Sequence, residues 1–270
     1  MKSRFGICRL ARVLALATMC LSDSALAQVP NTVFIDELTW TEIRDAIGAG
    51  KTTIILGTGG TEQYGPHMAM GKHNIIMSYT AEQIARKLGN ALVAPIIAYV
   101  PEGNLDPPTS HMRFPGTITL PEEHYRKLLE YAARSFKVNG FRDIVFVGDS
   151  GGNQQGMKAV SEMLNKEWKD TGVRVHFIPE YYSAHGFSEW LQAQGEKQDD
   201  IGTHAGIADT SQVMALNPQY IRKDKLADKG GFEGSGVSGN PARATAEYGK
   251  KGLQMKIDAA VAKIKESMAR

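Results

Sequence analysis

Two kinds of apolar pattern alternate along this chain. Thr52 to Leu56, Ala91 to Val100, Asp143 to Val147 and Val173 to Ile178 are short stretches, apolar on consecutive positions and rich in β-branched residues. Strands buried on both faces read this way. Between them the apolar residues recur at helical spacing. Trp40, Ile43 and Ile47 mark a helix over about 41–49 that Thr39 or Thr41 can cap. Ile76, Tyr79, Ile84 and Leu88 mark another over 74–88, stopped by Gly89. Pro121 opens a third, with Tyr125, Leu128, Leu129, Ala132, Ala133 and Phe136 as its buried stripe and Gly140 as its end. A fourth follows the turn at 148–153 and runs to about Lys169. Further helices are expected near 186–194 and 205–216. A long C-terminal helix aligns Leu253, Ile257, Ala260, Val261 and Ile264. Strands alternating with helices predict an α/β fold, a three-layer α/β/α sandwich around a mainly parallel sheet. The loop Pro101 to Pro115 is long enough to suspect function. Gly230 to Gly239 reads either as a mobile lid or as a plain connector.

The first 27 residues break the pattern and read as a secretory signal peptide. Lys2, Arg4, Arg9 and Arg12 precede a short apolar core, and Ala25-Leu26-Ala27 fits a cleavage site before Gln28. The apolar run is too short for a permanent membrane anchor. Cys20 offers a competing lipoprotein reading, which the bulky Met19 before it disfavours. A periplasmic or secreted protein is expected. Both cysteines, Cys8 and Cys20, fall inside the signal, which leaves the mature chain without a disulfide, a thiol nucleophile or a cysteine metal site. The full chain carries 31 basic and 29 acidic residues; without the signal these become 27 and 28, a net charge of −1. That balance offers nothing to draw the protein to nucleic acid or, once the signal is gone, to a membrane. Residues 28–270 are expected to form a single domain, large enough to bury a core without staples.

The chemistry concentrates at strand ends. Gly57 to His73 reads GTGGTEQYGPHMAMGKH and places Glu62, Tyr64, His67 and His73 just after the first strand, where open α/β sheets put their sites. Gly148-Asp149-Ser150-Gly151-Gly152 follows the third strand. Its sequence matches the nucleophile region of chymotrypsin-like proteases, but those are disulfide-bearing β-barrels. It also satisfies G-x-S-x-G in a strand–turn–helix context, with Asp200 or Asp209 and His204 as triad partners for Ser150. The bland alternative is a glycine-rich turn whose N–H groups cap a helix or bind an anion. His124, His176 and His185 have no motif around them and are expected on the surface or satisfied in the core. For Tyr181, Tyr182 and Trp190, core packing is the better expectation than a place at a pocket mouth.

Five segments, taken in order, resemble the creatininase family of amidohydrolases and together cover nearly all of the mature chain. They are Glu62-Gln63-x-Gly65-Pro66-His67, His111 to Thr117 (HMRFPGT), Gly151-Gly152-Asn153, His204-Ala205-Gly206 with Asp209-Thr210-Ser211, and Asn240 to Glu247. The resemblance implies a creatininase-like fold, a metal-dependent hydrolase that opens cyclic amides or cleaves C–N bonds, and a homo-oligomer, often a hexamer. It also implies two divalent ions held by Glu, His, a bridging Asp, a second His and a further Glu. At those positions this chain has Glu62, Tyr64, His73, Ser150 and Asp209, so three of the five have changed type. An imidazole offers one lone pair to one metal where a carboxylate can bridge two. The expectation is therefore one divalent transition metal ion, zinc or manganese, held by Glu62, His73 and Asp209.

Three hypotheses follow. In the first, an exported hydrolase acts on a small cyclic amide, lactone or related carbonyl compound. Ser150, Asp149, Tyr64 and His111 are its catalytic groups, and His67, Gly151, Asn153 and His204 contact the substrate. The altered ligand set and the export signal both argue against creatinine itself. In the second, the metal is absent and Ser150 is the nucleophile, with His73 or His204 as base. In the third, the inherited pocket only binds a small molecule.

Overall fold

A computed structural model describes residues 30–226 and 231–269; the segment expected to be a signal peptide, with both cysteines, lies outside them. Four parallel strands make the sheet, in the order β2-β1-β3-β4. They are β1 (Thr53–Thr58), β2 (Ala91–Val93), β3 (Asp143–Gly148) and β4 (Arg174–Phe177). β1 and β3 pair in register from Thr53↔Asp143 to Thr58↔Gly148, which brings their C-terminal ends level.

Successive side chains of a strand point to opposite faces, and both faces here are covered. Ile54, Leu56, Ile144 and Phe146 pack under α3 (Glu122–Asn139) and α4 (Gln154–Glu167), with α1 (Trp40–Gly48) at the edge. Ile55, Val145 and Val147 pack under α2 (Lys72–Leu88) and α9 (Ala246–Met268), through Met77, Ala81, Ile84, Ile257, Ala260 and Ile264. These are the three layers the hydrophobic pattern predicts. Helix ends obey local chemistry. Thr39 and Glu42 form a capping box at α1, while Gly89 and Gly140 close α2 and α3 in the left-handed region.

The structure differs from expectation in three places. The run Ala91 to Val100 is a strand only over its first three residues. Pro95 has no N–H for the ladder, and beyond it the chain bridges to the sheet at Thr58↔Ile97 and then turns away to pair with a loop at Val100↔Thr119. A short helix, α6 (Gln198–Ile201), lies between α5 (Phe187–Ala193) and α7 (Ile207–Leu216). The glycine-rich stretch carries α8 (Gly231–Ser235). No helix among the described residues is long and apolar enough to cross a membrane.

The position of α9 depends on two glycines. A Cβ at Gly249 would lie 1.9 Å from the Ser211 carbonyl oxygen of α7, and one at Gly252 would meet the Phe187 ring at 2.5 Å. Alanine favours a helix interior over glycine by about 1 kcal/mol, but overpacking against backbone costs roughly 1–3 kcal/mol or more. The clash should win at Gly249, where the facing atom cannot swing aside. Gly249→Ala is expected to lower the melting temperature by roughly 4 °C or more, on the scale of 2–4 °C per kcal/mol for a domain of this size. An unchanged melting curve would show that α9 does not seat against α7 in this way.

Candidate active site

The level ends of β1 and β3 open into a cleft of about 840 Å³, within the ~300–1,000 Å³ of small-molecule sites. Glu62 arrives on the loop after β1, Asp149 and Ser150 on the turn after β3, and Lys72 and His73 at the first turn of α2. His111 comes from the 101–115 loop, His204 and Asp209 from the start of α7, and Lys256 from α9.

A chain of buried charges runs across the floor. His73 donates through Nδ1 to Asp149 Oδ2 (2.7 Å) and through Nε2 to Glu62 Oε1 (2.9 Å). Burial and the Lys72 charge oppose its protonation; its two carboxylate partners outweigh them and raise its pKa. Asp149 also accepts from Lys256 Nζ and from the Tyr181 hydroxyl (3.2 Å). Burial would raise that carboxyl, but Lys256 and His73 hold it far below the carboxylate range. Lys72 Nζ pairs with Asp209 Oδ1 at 2.9 Å. Asp209 is pulled down to about 2 against its burial by that ammonium, and its other oxygen accepts from the Ala205 N–H (2.8 Å).

Glu62 joins this chain to the mouth of the cleft. Burial works against its charge, but hydrogen bonds from His73 and Glu102 and the charge of His73 keep it ionised. Glu102, in the loop after β2, is pushed up to about 11 by burial and by Glu62; it is a neutral acid that donates to its neighbour. On the other side, His111 Nε2 lies 3.2 Å from Glu62 Oε2, and His204 Nδ1 lies 3.9 Å from Oε1. His204 Nε2–H donates to the Gln63 carbonyl (2.7 Å), which leaves the lone pair on Nδ1, facing Glu62. Burial lowers both imidazoles, His111 to about 4, so both are neutral at pH 7. Phe232 of α8 packs edge-on over both rings, at 5.4 and 5.8 Å, and Arg113 clasps Glu233 beside it.

These positions revise the expected ligand set. Among the described residues, the cluster of metal-ligating side chains whose donor atoms converge, within 4.8 Å, is Glu62, His111 and His204. His73 has both nitrogens engaged by carboxylates and no lone pair to offer, and Asp209 is held by Lys72. His111 and His204 thus move from the catalytic and substrate-binding groups to the candidate metal site. One ionised carboxylate and two neutral imidazoles suit one zinc- or manganese-class ion.

Other expected residues fall in front of the floor or behind it. Ser150 and Gly151 line the cleft. No histidine serves Ser150 as a base through the bonds of His73 or His204, which go to Glu62, Asp149 and Gln63. Asn153, expected to contact substrate, is fully buried; its amide ties α4 to Thr58 and Gly59 at the end of β1. His67 is also fully buried and meets Thr210 (3.0 Å) behind the cleft. Tyr64, expected to be catalytic, is a buried wall: it stacks on His204 (5.2 Å) and lies under the Lys72 ammonium (5.1 Å). His185 and Tyr182, expected in the core or at the surface, line the cleft.

Sequence reasoning missed Lys72, Glu102, Phe232 and Lys256, although two of them carried a signal. Lys256 sits three residues after Leu253 and four before Ala260, on the apolar face of α9, where a cation needs a buried partner. Lys72 puts a positive charge at the positive end of the α2 dipole.

A family model described as creatinine amidohydrolase matches residues 36–264. The mycofactocin precursor peptide peptidase of Mycobacterium ulcerans is 27% identical over 237 residues, 78% of this chain and 84% of that protein. The creatinine amidohydrolase of Pseudomonas putida is 24% identical over 202 residues, 73% and 76% of the two chains. A mutant creatininase solved in a "Zn-Zn type" superposes with a TM-score of 0.72 at 23% identity, covering 88% of this chain and 99% of that one. With a match across most of its length and the same three layers, the chain belongs to the creatininase family.

Proposed function

We propose that this protein is a single-metal amidohydrolase of the creatininase family, exported to the periplasm, that hydrolyses the C–N bond of a small amide. The convergence of Glu62, His111 and His204 at the mouth of the cleft, with donor atoms within 4.8 Å of one another, carries the reading. The relatives named above act on a precursor peptide and on creatinine, and both reactions break an amide bond. The chain reads as a hydrolase of the same kind.

A divalent ion at these three residues would polarise the substrate carbonyl and acidify a bound water toward a pKa of ~7. The chain's own groups do the rest. His73 and Glu102 fix the Glu62 carboxylate from behind, and the Gln63 carbonyl fixes the tautomer of His204. Glu62, Asp149 and Asp209 face the cations His73, Lys256 and Lys72, so the protein's own charges balance there before any ion is bound. Ser150 and the turn N–H groups behind it can hydrogen-bond the substrate from the β3 side. Phe232 and Tyr182 give the cleft apolar walls.

Elemental analysis of mature protein purified without metal-binding tags should find about one transition metal per chain. Chelation should abolish turnover on a panel of lactams, cyclic ureides and short peptides, and zinc or manganese should restore it. His111→Ala and His204→Ala should lose the ion and lower kcat/KM beyond the ~10–100-fold typical of changes to a ligand's supporting partners. Metal-free wild type with chelator-resistant turnover would sink the reading. So would ligand-dependent stabilisation of the fold with no turnover of any amide.

Ser150→Ala separates this mechanism from serine catalysis. Loss of one neutral hydrogen bond, worth ~0.5–1.5 kcal/mol, should cost no more than about tenfold in kcat/KM. A loss of several thousandfold with the metal retained would make Ser150 the nucleophile. Export has its own check: N-terminal sequencing of the mature protein should begin at Gln28, and an uncleaved cytoplasmic chain would refute it.

A further inference from the structure

We propose that two of the chain's own ammonium groups, Lys72 and Lys256, stand in for a second metal ion, so that the cleft accepts one divalent cation and no more. The inference builds on the single-ion reading and extends it to the other half of the site.

Four acidic side chains line this cleft, Glu62, Glu102, Asp149 and Asp209, and a cluster of that kind ordinarily recruits divalent cations. Here two of the four, Asp149 and Asp209, are already paired with lysines. Lys72 Nζ lies 2.9 Å from Asp209 Oδ1, and Lys256 Nζ is bonded to Asp149 Oδ1. Both lysine side chains are almost fully buried, at 5% and 7% exposure, so these are not solvated surface pairs that exchange freely. The second oxygen of each carboxylate is spoken for as well. Asp149 Oδ2 accepts from His73, and Asp209 Oδ2 accepts from the Ala205 N–H. The side chain between Asp149 and Glu62 is His73, whose two ring nitrogens are both engaged by those carboxylates, at 2.7 and 2.9 Å. A divalent ion entering beside Asp149 or Asp209 would have to displace a buried ammonium and would find neither a free carboxylate oxygen nor a free nitrogen. The mouth of the cleft is different, because Glu62 there faces two imidazoles, His111 at 3.2 Å and His204 at 3.9 Å, instead of an ammonium.

The aromatic surroundings support a built-in cation. The Lys72 ammonium lies over the Tyr64 ring at 5.1 Å, and the Lys256 ammonium over the Tyr181 ring at 4.8 Å. A ring face favours an ammonium group but supplies no lone-pair donor to a metal. In the solved creatininase of "Zn-Zn type" two zinc ions are bound; in this chain lysine side chains supply the other positive charge and cannot be chelated away.

Metal stoichiometry tests this on the full mature chain. Metal-free protein is titrated with Zn²⁺ and, separately, Mn²⁺ to tenfold excess, and bound metal is measured after gel filtration. Wild type should stop at one ion per chain. Lys72→Met and Lys256→Met each free a carboxylate and should bind a second, weaker ion. The charge-keeping Lys72→Arg and the double variant Lys72→Met/Asp209→Asn should return to one. Two ions on wild type would overturn the proposal, as would folded Lys→Met variants that stay at one. No ion on wild type would instead overturn the single-ion reading beneath it. An unpaired buried carboxylate can prevent folding, so a second measurement uses wild type alone. Electron paramagnetic resonance of the Mn²⁺-loaded protein should show isolated ions, and an exchange-coupled pair would overturn the proposal.

Discussion

A fully buried carboxylate at the end of the central strand organises this molecule. Asp149 follows β3 directly and has no access to water. An ion in that position costs several kcal/mol unless it is paired and hydrogen-bonded. Its partners come from three separate elements: His73 from α2, Lys256 from α9 and Tyr181 from the turn after β4. The apolar face shared by α2 and α9 brings these helices over β1 and β3, and Asp149 is matched by polar groups at the start of α2 and midway along α9. Without those partners the helices could still pack, but the strand end would hold an uncompensated charge.

The same arrangement explains why the altered residues form a coherent set. An imidazole between Glu62 and Asp149 becomes a cation that serves both, and Lys72 beside it does the same for Asp209. Each change from a ligand to a cation or a wall removes a place for metal and supplies charge from the protein. Beside Glu62, His204 keeps on Nδ1 the lone pair that its bond to the Gln63 carbonyl leaves free, His111 Nδ1 accepts from the Gln63 side-chain amide, and Phe232 packs edge-on over both rings. Function is thereby concentrated at the mouth of the cleft, and the floor behind it is rigid.

Much of the fold could be read along the chain because its causes are local. Consecutive apolar residues buried β1 and β3 on both faces, helical spacing set the stripes of α2 and α3, and Gly89 and Gly140 ended them. Pro95 shows the limit of that reading: the apolar run continued past it, but the ladder could not. In the site, Glu62, His73, Asp149, Ser150 and Asp209 were identified from their places after strands and at a helix start, and all five line the cleft. Their roles were less legible. Asn153 carries the family motif yet acts as a tie to β1, because its amide meets three oxygens at the end of that strand.

By itself, then, the sequence determined the three-layer fold and the strand ends at which the chemistry gathers. These follow from periodicity and strand position. Only the tertiary structure decided which charges meet. Lys256 reaches Asp149 across 107 positions, and His204 reaches Gln63 across 141. A metal site or an ion pair depends on distances of a few ångströms through space, and position along the chain does not encode those distances. The side chains that hold a metal and those that exclude one are of the same kinds, and packing alone sorted them.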